Sequence, residues 1–452
     1  VDSASRLGPE IMEQVFQARH GPAEKIGIEV ELGVVDPETG RARPYEGPRG
    51  ARALLEAVRE HGGGVLVMDG TFLTGLRRVD GTKITLEHSG AIEYSSPPMA
   101  NLTDLVTSLR SELTAISRVA EGMDIALLPN GNLPFDTLEE VTWIPKSRSW
   151  IMRRYFTEYG GATSHTPPVT TRTLSTQVTL DYLSEEDWRS KFRMQVLVAP
   201  VAAALFVNSP LEEGEISGAL SRRLEYWFEL PQHRCGVPDI ALSGELSFRR
   251  FIEWASSISM VYRLRQEEYV AAPPLPFSAL LREGFGDGTF PTDEDWKSLL
   301  SQIWTDVRVR ETLELRAMDG PTLSEIPAVP AFWTGLTYWG PSREAALRLL
   351  AGRTTQDYQR AMREAATSGL RARYGPDRII DLAAELVRLA RDGIEARVAA
   401  GLDKPGSARF IEPLEEIVKT GRTLAEQQII RWNDEFHTRP DLFVAAMRVP
   451  GS

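Results

Sequence analysis

The sequence predicts an α+β fold built on a largely antiparallel sheet. Three observations carry that prediction. Strand-like and helix-like segments interleave through the first two thirds of the chain; the strand-like ones alternate apolar with polar residues, as a sheet with one buried and one wet face requires; and the last third is helical in period. No internal repeat, low-complexity tract or long linker interrupts the chain, so residues 1–452 read as one domain.

Residues 8–20 have the pattern of a short helix leading into a strand over 26–34, and Pro37-Glu-Thr-Gly40 supplies a turn. In that strand Ile26, Ile28, Val30, Leu32 and Val34 share one parity while Glu29 and Glu31 take the other. The stretch Ile84-Thr-Leu-Glu-His-Ser-Gly-Ala-Ile-Glu-Tyr94 reads as a second strand and carries Glu87 and Glu93. Leu102, Leu105, Leu109, Leu113, Ile116 and Val119 recur at helical steps behind the cap candidate Asn101, and a strand follows at 124–128. Residues 174–181 alternate again, with Ser175, Gln177, Thr179 and Asp181 on the polar side. The segment 187–207 is apolar and helical until Asn208-Ser-Pro210 ends it, and Pro273, Pro274 and Pro276 mark a loop. Around 307–316, Val307, Val309, Leu313 and Leu315 take one parity and Arg308, Arg310, Glu314 and Arg316 the other. A stripe from Ile379 to Ile394 and a similar one over 414–432 complete the helical scaffold.

Glu29, Glu31, Glu87, Glu93 and Glu314 therefore fall on polar faces of three strand-like stretches. Clustered carboxylates repel one another and raise one another's pKa unless cations neutralise them. Magnesium takes oxygen ligands from a few carboxylates plus substrate phosphates, so the pattern points to a metal site. The plain alternative for any single strand is a wet face salt-bridged to arginines.

With 42% hydrophobic and 25% charged residues, the composition is that of an ordinary globular chain. A formal charge of −12 disfavours nonspecific contact with nucleic acid or anionic membrane. Cys235 is the only cysteine, which excludes an intramolecular disulfide and a thiolate zinc site and fits a reducing compartment. No apolar run is long enough to span a membrane, and the first residues lack the basic and apolar regions of a signal peptide, so the chain reads as cytoplasmic.

No Gly-x-x-x-x-Gly-Lys-[Ser/Thr] loop occurs, so a nucleotide would have to be held by metal and arginines. The cluster Gly284-Phe-Gly-Asp-Gly288 lacks the flanking strand and lysine of a phosphate loop and reads as a surface loop. The histidines at 20, 61, 88, 165, 233 and 437 show no zinc spacing; His88, beside Glu87, reads as a turn residue or a partner of a ligand. Cys235 has basic neighbours but no base at a recognisable spacing, and reads as structural. Arg153 with Arg154, and Arg222 with Arg223, are paired on helical segments, where planar forks suit carboxylate or phosphate.

Glu29-Val-Glu31 after a β-run, Ile84-Thr-Leu-Glu87 leading to Ile92-Glu93 and Ser95-Ser-Pro-Pro98, Gln177-Val-Thr-Leu-Asp181, Ala204-Leu-Phe-Val-Asn-Ser-Pro210, Leu313-Glu-Leu-Arg316 and Pro330-Ala-Phe-Trp333 together resemble the glutamate–cysteine ligase family. The likeness is to plant-type enzymes and their bacterial relatives, including those of ergothioneine-type pathways, and runs in consistent order over about residues 22–440. It implies a single catalytic domain with a glutamine-synthetase-like curved sheet, and a role in thiol biosynthesis (glutathione or ergothioneine). It implies that Glu29, Glu31, Glu87, Glu93 and Glu314 bind two or three magnesium ions and that Arg316 contacts the phosphates of ATP. Arg153 and Arg223 are matched to donors toward glutamate, with Gln177 and Thr179 near the amino-acid substrates. Two departures stand out: His88-Ser-Gly-Ala91 replaces Pro-Gly-Gly-Gln, and Thr179 replaces Asn. The regulatory cysteine pairs of the plant enzymes are absent.

The implied reaction has two steps. The γ-carboxylate of L-glutamate attacks the γ-phosphate of ATP, and the amine of L-cysteine then displaces phosphate to give γ-glutamylcysteine. Such chemistry asks for positioning and electrostatics rather than a protein nucleophile, with Glu314 and Arg316 in the catalytic roles. A ligase using another amine is the alternative that Thr179 and His88 raise, and a non-catalytic binding homologue is opposed by the intact acidic set. The expected partners are small molecules, with the chain a monomer or weak homodimer.

Overall fold

Alternation along Ile26–Val35 (β1) builds the central strand of the molecule: its apolar parity is fully buried and its glutamates are only half-buried. The computed structural model describes residues 7–17, 23–159, 166–266 and 268–452. The other strands that frame the site are Val65–Asp69 (β2), Phe72–Arg77 (β3), Lys83–Leu86 (β4), Ile92–Ser95 (β5), Ala126–Leu128 (β6), Thr176–Leu180 (β7), the hairpin pair Tyr262–Arg265 (β8) and Glu268–Ala271 (β9), Val307–Val309 (β10) and Leu313–Leu315 (β11). The helices that matter are Leu102–Glu121 (α1), Ser147–Tyr159 (α2), Glu185–Leu205 (α3), Arg222–Phe228 (α4), Ala328–Tyr338 (α5) and Ile379–Ala399 (α6).

One sheet runs β10-β11-β7-β1-β5-β4-β3-β2, with β6 pairing the far end of β1. Every pairing in it is antiparallel, as expected. β1 pairs β7 over Ile26–Val30, β5 over Glu29–Leu32 and β6 over Gly33–Val35. The apolar face packs on α1, α3 and α5. Asn101 caps α1 by accepting from the Asp104 amide at 2.9 Å, as predicted. Deeper in the scaffold α5 and α6 cross at bare backbone: a Cβ on Gly335 would lie 2.1 Å from the Ala390 carbonyl oxygen, and one on Gly393 would lie 2.1 Å from that of Gly335.

Four sequence expectations change. The stretch 84–94 is two strands, with Glu87 to Ala91 as a tight turn in which Gly90 takes φ +89° and the Glu87 amide donates to the Ala91 carbonyl at 2.7 Å. The stretch 307–316 is likewise a hairpin, and its parity survives because Arg308 pairs directly with Glu314. Residues 414–432 form two helices, Glu412–Thr420 and Leu424–Asp434, broken at Gly421 in the left-handed region (φ +65°). The expected helix over 8–20 is Pro9–Glu13 followed by a 3-10 turn to Phe16; positions 18–20 and His165 lie outside the described residues. Among the described residues, no helix is long and apolar enough to cross a membrane.

Candidate active site

The sheet register turns the polar parity of β1 into rows of carboxylates. Glu31 pairs across β1 and β5 with Glu93, and Glu29 pairs on the other side with Gln177 of β7. Glu29, Glu31, Glu87 and Glu93 all line one open cavity of about 630 Å³, a size suited to a small ligand. Burial pushes the Glu29 carboxyl up, and Glu314 pushes it further. Burial, then Glu87, raises Glu31 to about 7. Glu93 is raised most strongly, by burial and then by Glu29, Glu87 and Glu31 together. Like charges directly across a strand pair are destabilising, so this face is built to receive positive charge.

Cations already stand beside part of it. Burial would raise Glu87 as well, but Lys146, Arg148 and Arg316 outweigh it and hold that carboxyl below its ordinary value. Lys146 and Arg148 lie at the start of α2 and line the same cavity. The Lys146 ammonium donates to the Leu86 carbonyl, and burial brings its pKa down to about 8. His88 lies 2.6 Å from the Ser149 hydroxyl through Nδ1; burial depresses it to about 3, so the imidazole is neutral at neutral pH. Neither Lys146 nor Arg148 was legible as a site residue, since no alternation or helical stripe marks the turn they sit in.

Glu314 is fully buried and occupied by arginines: it accepts from Arg308 at 2.6 Å, Arg310 at 2.6 Å and Arg316 at 2.5 Å. Burial opposes its ionisation, yet these guanidiniums hold the carboxyl far below its ordinary value. Glu314, expected as a metal ligand, stands in this structure against three guanidiniums, because β10 and β11 place Arg308 directly opposite it. Arg316 also donates to Gln177 Oε1, while Gln177 Nε2 donates to Glu31 at 3.0 Å and to the Ser175 hydroxyl at 3.1 Å. Gln177 is thus a relay between Arg316 and Glu31. Thr179 pairs with Gly27 and Glu314 one row further along and lines neither this cavity nor its neighbour.

That neighbour is a smaller cavity, about 90 Å³, sharing Glu31, Glu87, His88, Met152, Trp304 and Arg316 with the first. Arg223 closes it: buried, it donates to the Arg316 carbonyl at 2.8 Å and faces Asp319 at 3.9 Å. Arg153 is not brought here. It is exposed and lies over the Trp143 ring at 5.6 Å, because α2 turns Ser149, Met152 and Phe156 inward and the position after Met152 points about 100° away. The structure therefore joins Glu29, Glu31, Glu87, Glu93, Gln177, Arg223 and Arg316, seats Glu314 behind them, and leaves out Arg153 and Thr179.

Four carboxylates on a cavity wall, three of them with pKa values raised by burial and by neighbouring glutamates, form a donor set suited to a hard cation. They are spread along the wall; among the described residues no three acidic, histidine or cysteine side chains converge tightly enough to hold an ion by themselves. A cation there would share its coordination with ligand oxygens.

A family model described as glutamate–cysteine ligase family 2 matches residues 25–439. The chain is 31% identical to the chloroplastic glutamate–cysteine ligase of Nicotiana tabacum over 392 residues, 86% of this chain and 73% of that one. It is 30% identical to the chloroplastic enzyme of Arabidopsis thaliana over 414 residues, 91% of this chain and 77% of that one. The fold resembles the glutamate–cysteine ligase of Francisella tularensis solved in complex with AMP (TM-score 0.57, 10% identity, 94% of this chain and 87% of that one).

Proposed function

The chain belongs to glutamate–cysteine ligase family 2, and from that membership and the carboxylate face we propose how it joins glutamate to cysteine at the expense of ATP. The reaction is an ATP-dependent ligation. An oxygen of the glutamate γ-carboxylate attacks the γ-phosphorus of ATP and ADP leaves. The cysteine amine then attacks the acyl carbon, phosphate leaves, and the amine loses a proton.

The observation that carries this reading is the position of Arg316 between the two cavities, tied to Glu314 and, through Gln177, to Glu31. A guanidinium fixed at that boundary is suited to the phosphoryl group as it passes from nucleotide to glutamate. The larger cavity takes the nucleotide, as its size and the Lys146 and Arg148 cations support. The relative from Francisella tularensis was solved with AMP, in keeping with nucleotide binding. Glu29, Glu31, Glu87 and Glu93 would hold magnesium, which when bound neutralises phosphate charge and orients the γ-phosphoryl group.

The smaller cavity takes glutamate, with the buried Arg223 as the partner that a desolvated carboxylate needs. Thr179, which raised the alternative of another amine, lies away from both cavities. Mass spectrometry of a reaction containing ATP, magnesium, glutamate and cysteine tests the proposal. It should show γ-glutamylcysteine with equimolar ADP; glutamate left unconsumed would refute it.

A further inference from the structure

A cavity of about 620 Å³ shares no residue with either cavity of the active site. It lies among α1, the loop 322–325 ahead of α5, the helix Leu424–Asp434 (α7), the helix Pro440–Met447 (α8) and the tail behind it. Its size suits a small ligand. The walls are fixed by the fold. Val449 donates to the Leu127 carbonyl at 2.9 Å and accepts from the Ser117 hydroxyl at 2.6 Å, which pins the tail to β6 and α1. Thr423 and Glu426 cap the start of α7 reciprocally.

Two buried amide side chains line this cavity, Asn208 at 1% exposure and Gln428 at 2%. Each commits its nitrogen to the protein: Asn208 Nδ2 donates to the Gly320 carbonyl at 2.9 Å, and Gln428 Nε2 donates to Asn130 Oδ1 at 3.3 Å. The oxygen of each amide is buried and has no partner among the described residues. With the nitrogens fixed inward, the oxygens are the ends left to the cavity. A buried acceptor without a donor costs free energy, so a cavity lined by two of them is short of N–H groups.

Charges of both signs surround these acceptors. Arg110, Arg431 and Arg448 line the cavity together with Glu325. Arg431 is paired with Glu435 at 2.8 Å and Arg448 with Glu121 at 3.4 Å. Arg110 on α1 is exposed and has no acidic partner among the described residues. A guanidinium fork in that state is a docking point for a carboxylate. The acceptors come from other elements: Glu325 belongs to the loop, and Asn208 is bonded to the same stretch of chain through Gly320. Leu323, Leu424 and Met447 add apolar wall.

We propose that this cavity binds a small zwitterion, an amino acid or a short peptide, with its carboxylate on Arg110 and its ammonium and N–H groups on the orphaned oxygens of Asn208 and Gln428, Glu325 supplying the counter-charge. Arginine selects one end of the ligand and the acceptors select the other, so blocking either end removes a contact. An amino acid and a peptide carry the same two end groups and differ in reach.

The test titrates the whole protein, with and without ADP, magnesium and glutamate, and follows binding by calorimetry. The probes are L-leucine, L-leucyl-L-leucine, and the dipeptide either acetylated at its amine or amidated at its carboxylate. The free zwitterion should bind at a single site whether or not the active-site ligands are present. Each blocked form should bind at least about tenfold more weakly, the scale of one hydrogen-bonded contact to a charged group. Arg110→Ala removes an exposed side chain and should weaken the dipeptide to the same extent while leaving the amidated form unchanged. Gln428→Leu should do the same with respect to the acetylated form. Leucine that matches the dipeptide identifies the ligand as an amino acid, and leucine that binds more weakly identifies it as a peptide. The proposal is overturned if neither zwitterion binds at millimolar concentration, if the active-site ligands abolish binding, or if Arg110→Ala leaves the affinity unchanged.

Discussion

Glu31 and Glu93 stand directly opposite each other on neighbouring antiparallel strands, two carboxylates in a position where strand pairs usually carry opposite or apolar side chains. Both are raised by burial and by other glutamates around them. Folding alone gains nothing from this arrangement, and a bound cation would.

Replacing Glu93 by Gln should therefore separate stability from function. Without magnesium, the melting temperature of Glu93→Gln should equal or exceed that of the wild type, because one of two facing charges is gone. Binding of ADP with magnesium should weaken at least about tenfold, the lower end of the cost of losing even a partner behind a metal ligand. Calorimetry and thermal denaturation on the same samples check both halves; a variant that loses stability and keeps nucleotide affinity would mark Glu93 as structural.

A pH dependence follows from Glu31, raised to about 7. Between the ordinary glutamate value and about 7, the folded protein retains a proton that the unfolded chain has lost. Stability of the metal-free protein from this group is highest at acid pH and falls as pH rises through that window. The difference in melting temperature between wild type and Glu31→Gln, measured across that range, should grow with pH and then level off. Saturating magnesium should stabilise the wild type more above the window than below it.

Arg316 contacts Glu314 at 2.5 Å and also donates to Gln177, so its fork is fixed from two sides. An ammonium in Arg316→Lys cannot hold both partners and still face a phosphate. The turnover rate should fall at least about tenfold, equivalent to 1.4 kcal/mol or more. Steady-state kinetics at saturating ATP check this, and wild-type turnover would move Arg316 off the reaction path.

How much of this site was legible depended on whether parity survives folding. Glu29 and Glu31 were readable because one unbroken strand keeps side chains in strict alternation. Glu314 and Arg308 were placed on the correct face despite an unseen turn, because a hairpin in register returns the same parity. The partnership of Glu31 with Glu93 was not readable, since it depends on the register between β1 and β5, two strands far apart in the chain that no single turn joins. Where Arg153 would point was not readable from its pairing with Arg154, which says nothing about helix face; the apolar spacing of Met152 and Phe156 was the signal that it lies off the cavity-facing side. Lys146 and Arg148 needed the tertiary contact of Asp69 with Ser147 to bring them to the cavity.

The scaffold has its own point of sensitivity at Gly335, where any Cβ would meet the Ala390 carbonyl oxygen at 2.1 Å. Helices α5 and α6 must separate to admit even a methyl group. Gly335→Ala should cost about 3 kcal/mol, the upper end for overpacking a core. Chemical denaturation measures it, and a loss within error of zero would show that the two helices slide apart freely.

The central claim is that glutamate is activated by phosphoryl transfer at the boundary marked by Arg316. Glutamate carrying ¹⁸O in its γ-carboxylate tests it most directly, in a reaction with ATP, magnesium and cysteine. Transfer through an acyl phosphate predicts that one labelled oxygen appears in inorganic phosphate for each γ-glutamylcysteine formed. Phosphate that emerges unlabelled while the amide accumulates would contradict the account.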